Sequence, residues 1–359
     1  MSAATVMTWS DLESWAATVL TRSGLRDHDA ATVAASLMFA ESRGIGTHGL
    51  IRLSTYVERI TAGGINSAAT VSIAADLKAL TVLDADHAPG ASSGMVAVAL
   101  VIERAREFGV ACAVARNANH FGASGYFTNQ IADAGLLGLA LCNTEPVMCA
   151  PSGGSPVLGT NPIAVALPID RGERPQLDMA TTTVSQGKLL VAQQADEAIP
   201  LGWAVDPAGR ETTSASAGLA GALLPSGGPK GFGLAFAVDA ILALGGANVS
   251  TDVAPLNGDP GTPQRLGHFF LAIRPDADGT LDDYRRRIMG LVQDIHSSGT
   301  PGATVRPLVP GEPELQRERA MNGVLAISGP ALQAMESLAS AWHVPLPAHA
   351  GPGVQPPRF

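Results

Sequence analysis

The chain has 359 residues, 46% of them apolar and only 15% charged, with a formal net charge of −9. That length sets an expectation of two domains, each with enough chain for its own core. The acidic balance speaks against nucleic acid and anionic membrane surfaces as partners, and the sparse charge points to a protomer partly covered by another copy of itself.

Taken in order, Ser10-Asp11-Leu12-Glu13 fits a capping box, and Leu12, Trp15, Ala16, Val19 and Leu20 follow at helical spacing up to Gly24. A second helix is expected from Asp27 or Asp29, carrying Val33, Ala34, Leu37, Met38 and Phe39 towards a glycine-rich turn. That turn reads Arg43-Gly44-Ile45-Gly46-Thr47-His48-Gly49, and a helical pattern with Leu50, Leu53, Val57 and Ile60 on one stripe follows it to Gly63-Gly64. His48 and Arg52 stand one turn apart on the side away from that stripe. A cation and an imidazole together suit holding a carboxylate and moving a proton; the plainer reading is an ordinary exposed helix face.

From about residue 70 the pattern changes to short apolar runs at 79–83, 110–115, 136–141 and 163–167, which read as buried strands. Helices are expected between them at 95–108 and 126–134, each closed by a glycine, so a mixed α/β sheet domain follows. Further helices are expected at 184–198, from the glycines at 227–233 to about 244, and around Leu281–Ile295 and Leu332–Trp342. Residues 200–221 read as loops and 268–273 as a strand; the Pro- and Gly-rich stretch 345–359 reads as a mobile tail.

Three more stretches can carry chemistry. His120, in Asn117-Ala118-Asn119-His120-Phe121-Gly122, follows a strand and precedes a helix, where α/β sheets place ligand loops; otherwise it caps a tight turn. Leu158-Gly159-Thr160-Asn161-Pro162 reads more simply as a structural turn. Asp178 ends an apolar strand, so it either accepts from backbone N–H groups or supports a histidine. The Pro229-Lys230-Gly231 stretch lacks the Ser or Thr of a phosphate loop, and no G-x-G-x-x-G stands between strand and helix. The eight histidines offer no metal-ligand spacing, so no metal is expected. Cys112, Cys142 and Cys149 read as buried reduced thiols. With no basic leader and no long apolar run, a cytoplasmic protein is expected.

These blocks together, in order from Arg43 to Pro313, resemble the malate/L-lactate dehydrogenase family unrelated to the Rossmann-type enzymes of the same names. Leu177-Asp178-Met179-Ala180-Thr181, Leu224-Pro225-Ser226-Gly227-Gly228-Pro229-Lys230-Gly231 and Pro310-Gly311-Glu312-Pro313 complete the match. The resemblance implies an α/β homodimer using NAD or NADP. Its non-Rossmann nicotinamide domain, with a mixed sheet, would span 71–264, and a mainly helical domain would be built from 1–70 and 265–344. It implies reduction of a small 2-oxo acid, or of a cyclic imine carboxylate, with His48 as proton donor and Asp178 as the partner that raises its pKa. Arg52 would hold the substrate carboxylate, with Thr47 and His120 in the same pocket. His120, Thr160, Asn161, Leu177, Asp178, Met179, Ala180, Pro229, Lys230, Gly311, Glu312 and Pro313 would meet the dinucleotide. Two departures stand out. Thr47 replaces a frequent serine, and Asn143-Thr144-Glu145-Pro146 stands where some members carry a lysine. The intact His48, Arg52, His120 and Asp178 argue against a catalytically silent member.

Overall fold

A computed structural model describes residues 5–300, 305–327 and 329–349. Helix Trp9–Arg22 is capped by Thr8, whose hydroxyl accepts from the Asp11 N–H at 3.2 Å. The cap lies two residues upstream of the expected box because strand Thr5–Thr8 runs antiparallel to Val324–Ile327 and delivers Thr8 already extended. Helix Asp27–Ser42 follows, then the 3-10 turn Gly46–His48, then helix Arg52–Ala62, which ends at Gly63 with φ +89. Leu12, Leu20, Leu37, Leu53 and Val57 share one core with Met321, Leu325, Leu332, Met335 and Leu338. The two ends of the chain thus bury their apolar stripes against each other. That core holds the turn bearing His48.

The remaining architecture is a seven-stranded mixed sheet in the order Ser72–Asp76, Leu80–Asp84, Val110–Ala118, Leu266–Ile273, Leu137–Cys142, Ile163–Ala166, Gln176–Met179. Only Leu80–Asp84 and Val110–Ala118 pair in parallel. Alternation sends Ala113, Ala115, Ala140 and Phe270 to one face, under helices Gly90–Phe108 and Gly125–Asp133. Val114 and Leu141 go to the other face, against Val238 and Leu242 of helix Pro229–Ala243. Burial on both faces is why these strands read as unbroken apolar runs.

Leu266–Ile273 lies in the middle of the sheet, so a domain boundary at 264/265 cuts through it; the sheet unit extends to Ile273. One edge strand escaped the sequence pattern. Ser72–Asp76 is exposed along its length, whereas the apolar strand expected to end at Asp178 is present as Gln176–Met179 at the opposite edge. The region 200–221 is not simply loop: Ala204–Val205 pairs with Ala222–Leu223, and helix Ala215–Ala220 joins a small core with Leu189 and Ile199. Helix Gln186–Gln194 is shorter than expected because Asp196 turns into the left-handed region with φ +53. Helix Glu312–Met321, which the periodicity did not announce, begins at Gly311 with φ +81 and carries a proline in its first turn. Of the expected tail, 350–359 lie outside the described residues, while Leu346 packs on the first core.

Candidate active site

The turn after helix Asp27–Ser42 is held by Glu41, whose Oε2 accepts from the Leu50 N–H at 2.9 Å. A Cβ at Gly49 would sit 1.9 Å from that oxygen, so the close approach needs glycine there. Gly44, with φ +72, reverses the chain just before. His48 therefore lies in a 3-10 turn rather than on the following helix, and Arg52 is that helix's first residue. Arg52 Nε donates to the Thr47 carbonyl at 2.6 Å, which pins the guanidinium beside the turn. Its terminal nitrogens find no protein acceptor among the described residues and border a cavity of about 710 Å³.

His120 enters the same cavity from the other unit. Its backbone N–H donates to Gln264 Oε1 at 3.0 Å, and its ring stacks on His48 with centroids 5.5 Å apart. Its Nδ1 lies 2.7 Å from the Tyr56 hydroxyl and 3.4 Å from the Gly122 N–H. Burial pushes the Tyr56 phenol up, so it keeps its proton and donates. With two donors aimed at Nδ1, the neutral ring carries its hydrogen on Nε2. His48 Nδ1 faces the Thr47 hydroxyl at 3.0 Å. Burial first, then the neighbouring Arg52 cation, lowers His48 to about 4. His120 is lowered too, by burial and then by His48 and Arg52. Both rings are neutral near pH 7 in the free protein.

Asp178, on edge strand Gln176–Met179, is exposed to the cavity it lines. Its Oδ2 accepts from the Gly125 N–H at 2.7 Å, at the start of helix Gly125–Asp133. Desolvation outweighs that bond and Arg43, raising Asp178 to about 6. The expectation that Asp178 partners His48 and raises its pKa is thus corrected: the carboxylate bonds to Gly125, and Arg52 dominates the charge next to His48. Beneath it, Gln176 Nε2 donates to Gly125 O at 2.7 Å while Oε1 accepts from Arg43, which pairs with Glu318 at 3.0 Å.

A family model for malate/L-lactate dehydrogenase matches residues 7–332. The chain belongs to the malate/L-lactate dehydrogenase family. It is an NAD(P)-dependent oxidoreductase. L-sulfolactate dehydrogenase of Methanocaldococcus jannaschii is 36% identical over 298 residues, covering 82% of this chain and 85% of that protein. The solved structure of a sulfolactate dehydrogenase from that organism superposes with TM-score 0.87, covering 94% of this chain and 97% of that one at 31% identity. Ureidoglycolate dehydrogenase (NAD(+)) of Escherichia coli O157:H7 is 33% identical over 309 residues, 85% of this chain and 88% of that protein. Delta1-piperideine-2-carboxylate reductase from Pseudomonas syringae pvar. tomato shares the fold at TM-score 0.83 and 27% identity, covering 93% and 99%.

In this family member Thr47, His48, Arg52, His120, Thr160, Leu177, Asp178, Met179, Ala180 and Gly311 all border the cavity. Five expected cofactor contacts do not. Asn161 is fully buried, accepting from Thr144 N at 3.1 Å and donating to Ala235 O at 2.9 Å, so it is a structural clamp. Pro229 and Lys230 are exposed at the start of their helix, and the cavity reaches only Ser226 of that segment. Glu312 turns to His296 at 2.9 Å and to Arg306, and Pro313 is exposed. Sequence reasoning missed Tyr56 and Glu145. Tyr56 carried no signal of its own beside the stripe of Leu53, Val57 and Ile60; Glu145 was visible only as a departure from the family pattern.

Proposed function

We propose that this family member reduces a small 2-oxo acid to its 2-hydroxy acid, with Arg52 holding the substrate carboxylate and His48 supplying the proton. The observation that carries the reading is one cavity in which a neutral, half-buried imidazole and a guanidinium with unengaged terminal nitrogens face the same space. The cavity residues suit a dinucleotide: hydroxyls of Thr160, Thr183 and Ser226, the Lys188 ammonium, and backbone at Gly46 with open space where a Cβ would project. When bound, the nicotinamide supplies the hydride that reaches C2 of the substrate.

Arg52 takes the carboxylate through a charge-assisted fork, turning binding energy into orientation of the carbonyl. The arriving anion offsets the guanidinium that, with burial, depresses His48. His48 therefore takes up a proton with the substrate and passes it to the developing alkoxide, general acid catalysis worth about 10²–10⁴-fold. In the oxidative direction the neutral ring is already the base. Tyr56 fixes the tautomer of His120, and the stacked His120 ring limits how His48 can turn. Asp178 acts by position, tying Gly125, and with it the 120–125 loop, to the edge strand. The cofactor would lie along 177–180, Thr160, His120 and Gly311.

Pyruvate, oxaloacetate and piperideine- or pyrroline-2-carboxylate, each offered with NADH and NADPH, test the proposal. Oxidation of reduced cofactor by the oxo acids supports it. Turnover confined to the cyclic imines favours the second reading, which the likeness to the piperideine-2-carboxylate reductase supports. The proposed division pairs a sheet unit binding the cofactor with a helical unit from both chain ends, within a homodimer acting on a small carboxylate.

A further inference from the structure

Glu145 borders the same cavity as Arg52, His48 and His120 and plays no part in the chemistry above. It follows strand Leu137–Cys142, in the segment between Asn143 and Pro146. The Leu256 N–H donates to its Oε1 at 3.4 Å, fixing one oxygen against the 254–264 loop. That loop is itself fastened by Arg59, which donates to the carbonyls of Leu256 and Asp259 at 3.3 Å and to that of Thr262. Glu145 is therefore held rather than free to swing into solvent. It interacts electrostatically with Arg52, yet no direct ion pair joins them among the described residues.

We propose that Glu145 selects a substrate whose far end carries an uncharged hydrogen-bond donor, such as an amide N–H, and rejects a second anion there. The reasoning rests on the proposed reduction of a 2-oxo acid at this site. Burial raises the Glu145 carboxyl while Arg52 and Arg59 oppose the shift. Ionised, it balances Arg52, and both imidazoles are neutral in the free protein. The proton that His48 gains arrives together with the substrate's first carboxylate, so that pair adds no net charge. A mono-carboxylate adds one negative charge that Arg52 answers at contact. A second carboxylate or sulfonate would instead lie near a fixed carboxylate in a partly desolvated cleft, where like charges repel strongly. An amide N–H in the same place finds an acceptor. Discrimination then comes from a repulsive element as much as from an attractive one.

The test compares oxaloacetate with its monoamide, 2-oxosuccinamate, which has the same number of heavy atoms and an amide in place of the distal carboxylate. Pyruvate, lacking any distal group, reports on the chemistry independently of Glu145. For the native protein at pH 8, kcat/KM for the monoamide should exceed that for oxaloacetate by about tenfold or more. Glu145→Gln should bring the ratio to about one or below, and fluorescence titration with NADH shows that the variant still folds and binds. Equal or better use of oxaloacetate by the native protein, or an unchanged ratio in Glu145→Gln, overturns the assignment while pyruvate turnover leaves the reaction class standing. Failure of all three substrates with both cofactors overturns the reaction class and the assignment with it.

Discussion

Arg52→Lys separates orientation from charge. In the native site Nε is committed to the Thr47 carbonyl at 2.6 Å, leaving the two terminal nitrogens to meet a carboxylate as a fork. Lysine keeps the positive charge but has neither the fork nor the Nε donor, so one charge-assisted hydrogen bond to substrate is lost and the Thr47 carbonyl loses its partner. A hydrogen bond to a charged group is worth about 1.5–3 kcal/mol, which converts to a fall of about 10–150-fold in kcat/KM. The loss should appear chiefly in KM for the oxo acid, because the carboxylate is bound alike in ground and transition states. Steady-state kinetics with pyruvate at saturating NADH measure it, and an NADH titration checks that the cofactor still binds. A KM within twofold of native would show that Arg52 does not grip the substrate.

His48→Ala should lower turnover by about 10²–10⁴-fold with NADH affinity preserved, measured by single-turnover kinetics and fluorescence titration; native turnover would remove His48 from the chemistry. Tyr56→Phe removes the 2.7 Å hydrogen bond to His120 and keeps the ring packing, so kcat should drop about 5–30-fold, for a bond worth about 1–2 kcal/mol. An unchanged kcat would mean that the His120 tautomer is set elsewhere. His268 is fully buried at the sheet centre, stacked 4.4 Å from Phe121, and burial lowers it to about 3. Its folded pKa lies below the unfolded value of about 6.5, so the unfolded chain binds the extra proton and stability falls as pH drops from about 6.5 towards 3. At pH 5 that costs about 2 kcal/mol. His268→Leu should therefore lose less stability than the native chain between pH 7.5 and 5 in urea unfolding, and parallel losses in the two would contradict this.

Elements whose residues carry a one-sided or two-sided apolar pattern were legible before any coordinates. The stripes of helices Trp9–Arg22 and Arg52–Ala62 and the unbroken runs of Val110–Ala118 and Leu137–Cys142 belong to this class. Burial leaves its trace in composition wherever a face is fully covered. The edge strand Ser72–Asp76 has no covered face of its own and left no such trace, so it appeared only with the sheet. The site was legible as a set of residue types: His48, Arg52, His120 and Asp178 all border one cavity.

What the sequence by itself determined is the set of chemical groups available and the local turns that present them, because glycines at 44 and 49 and the spacing of His48 and Arg52 are properties of one short stretch. Only the tertiary structure decided which groups meet and in what charge state. Asp178 bonds to Gly125 rather than His48, Tyr56 reaches from the core to hold His120, and Glu145 comes to line the same cavity as Arg52. The physical reason is that hydrogen bonds and pKa values depend on distance and desolvation between segments far apart in the chain, and neither is encoded in the spacing of residues along it.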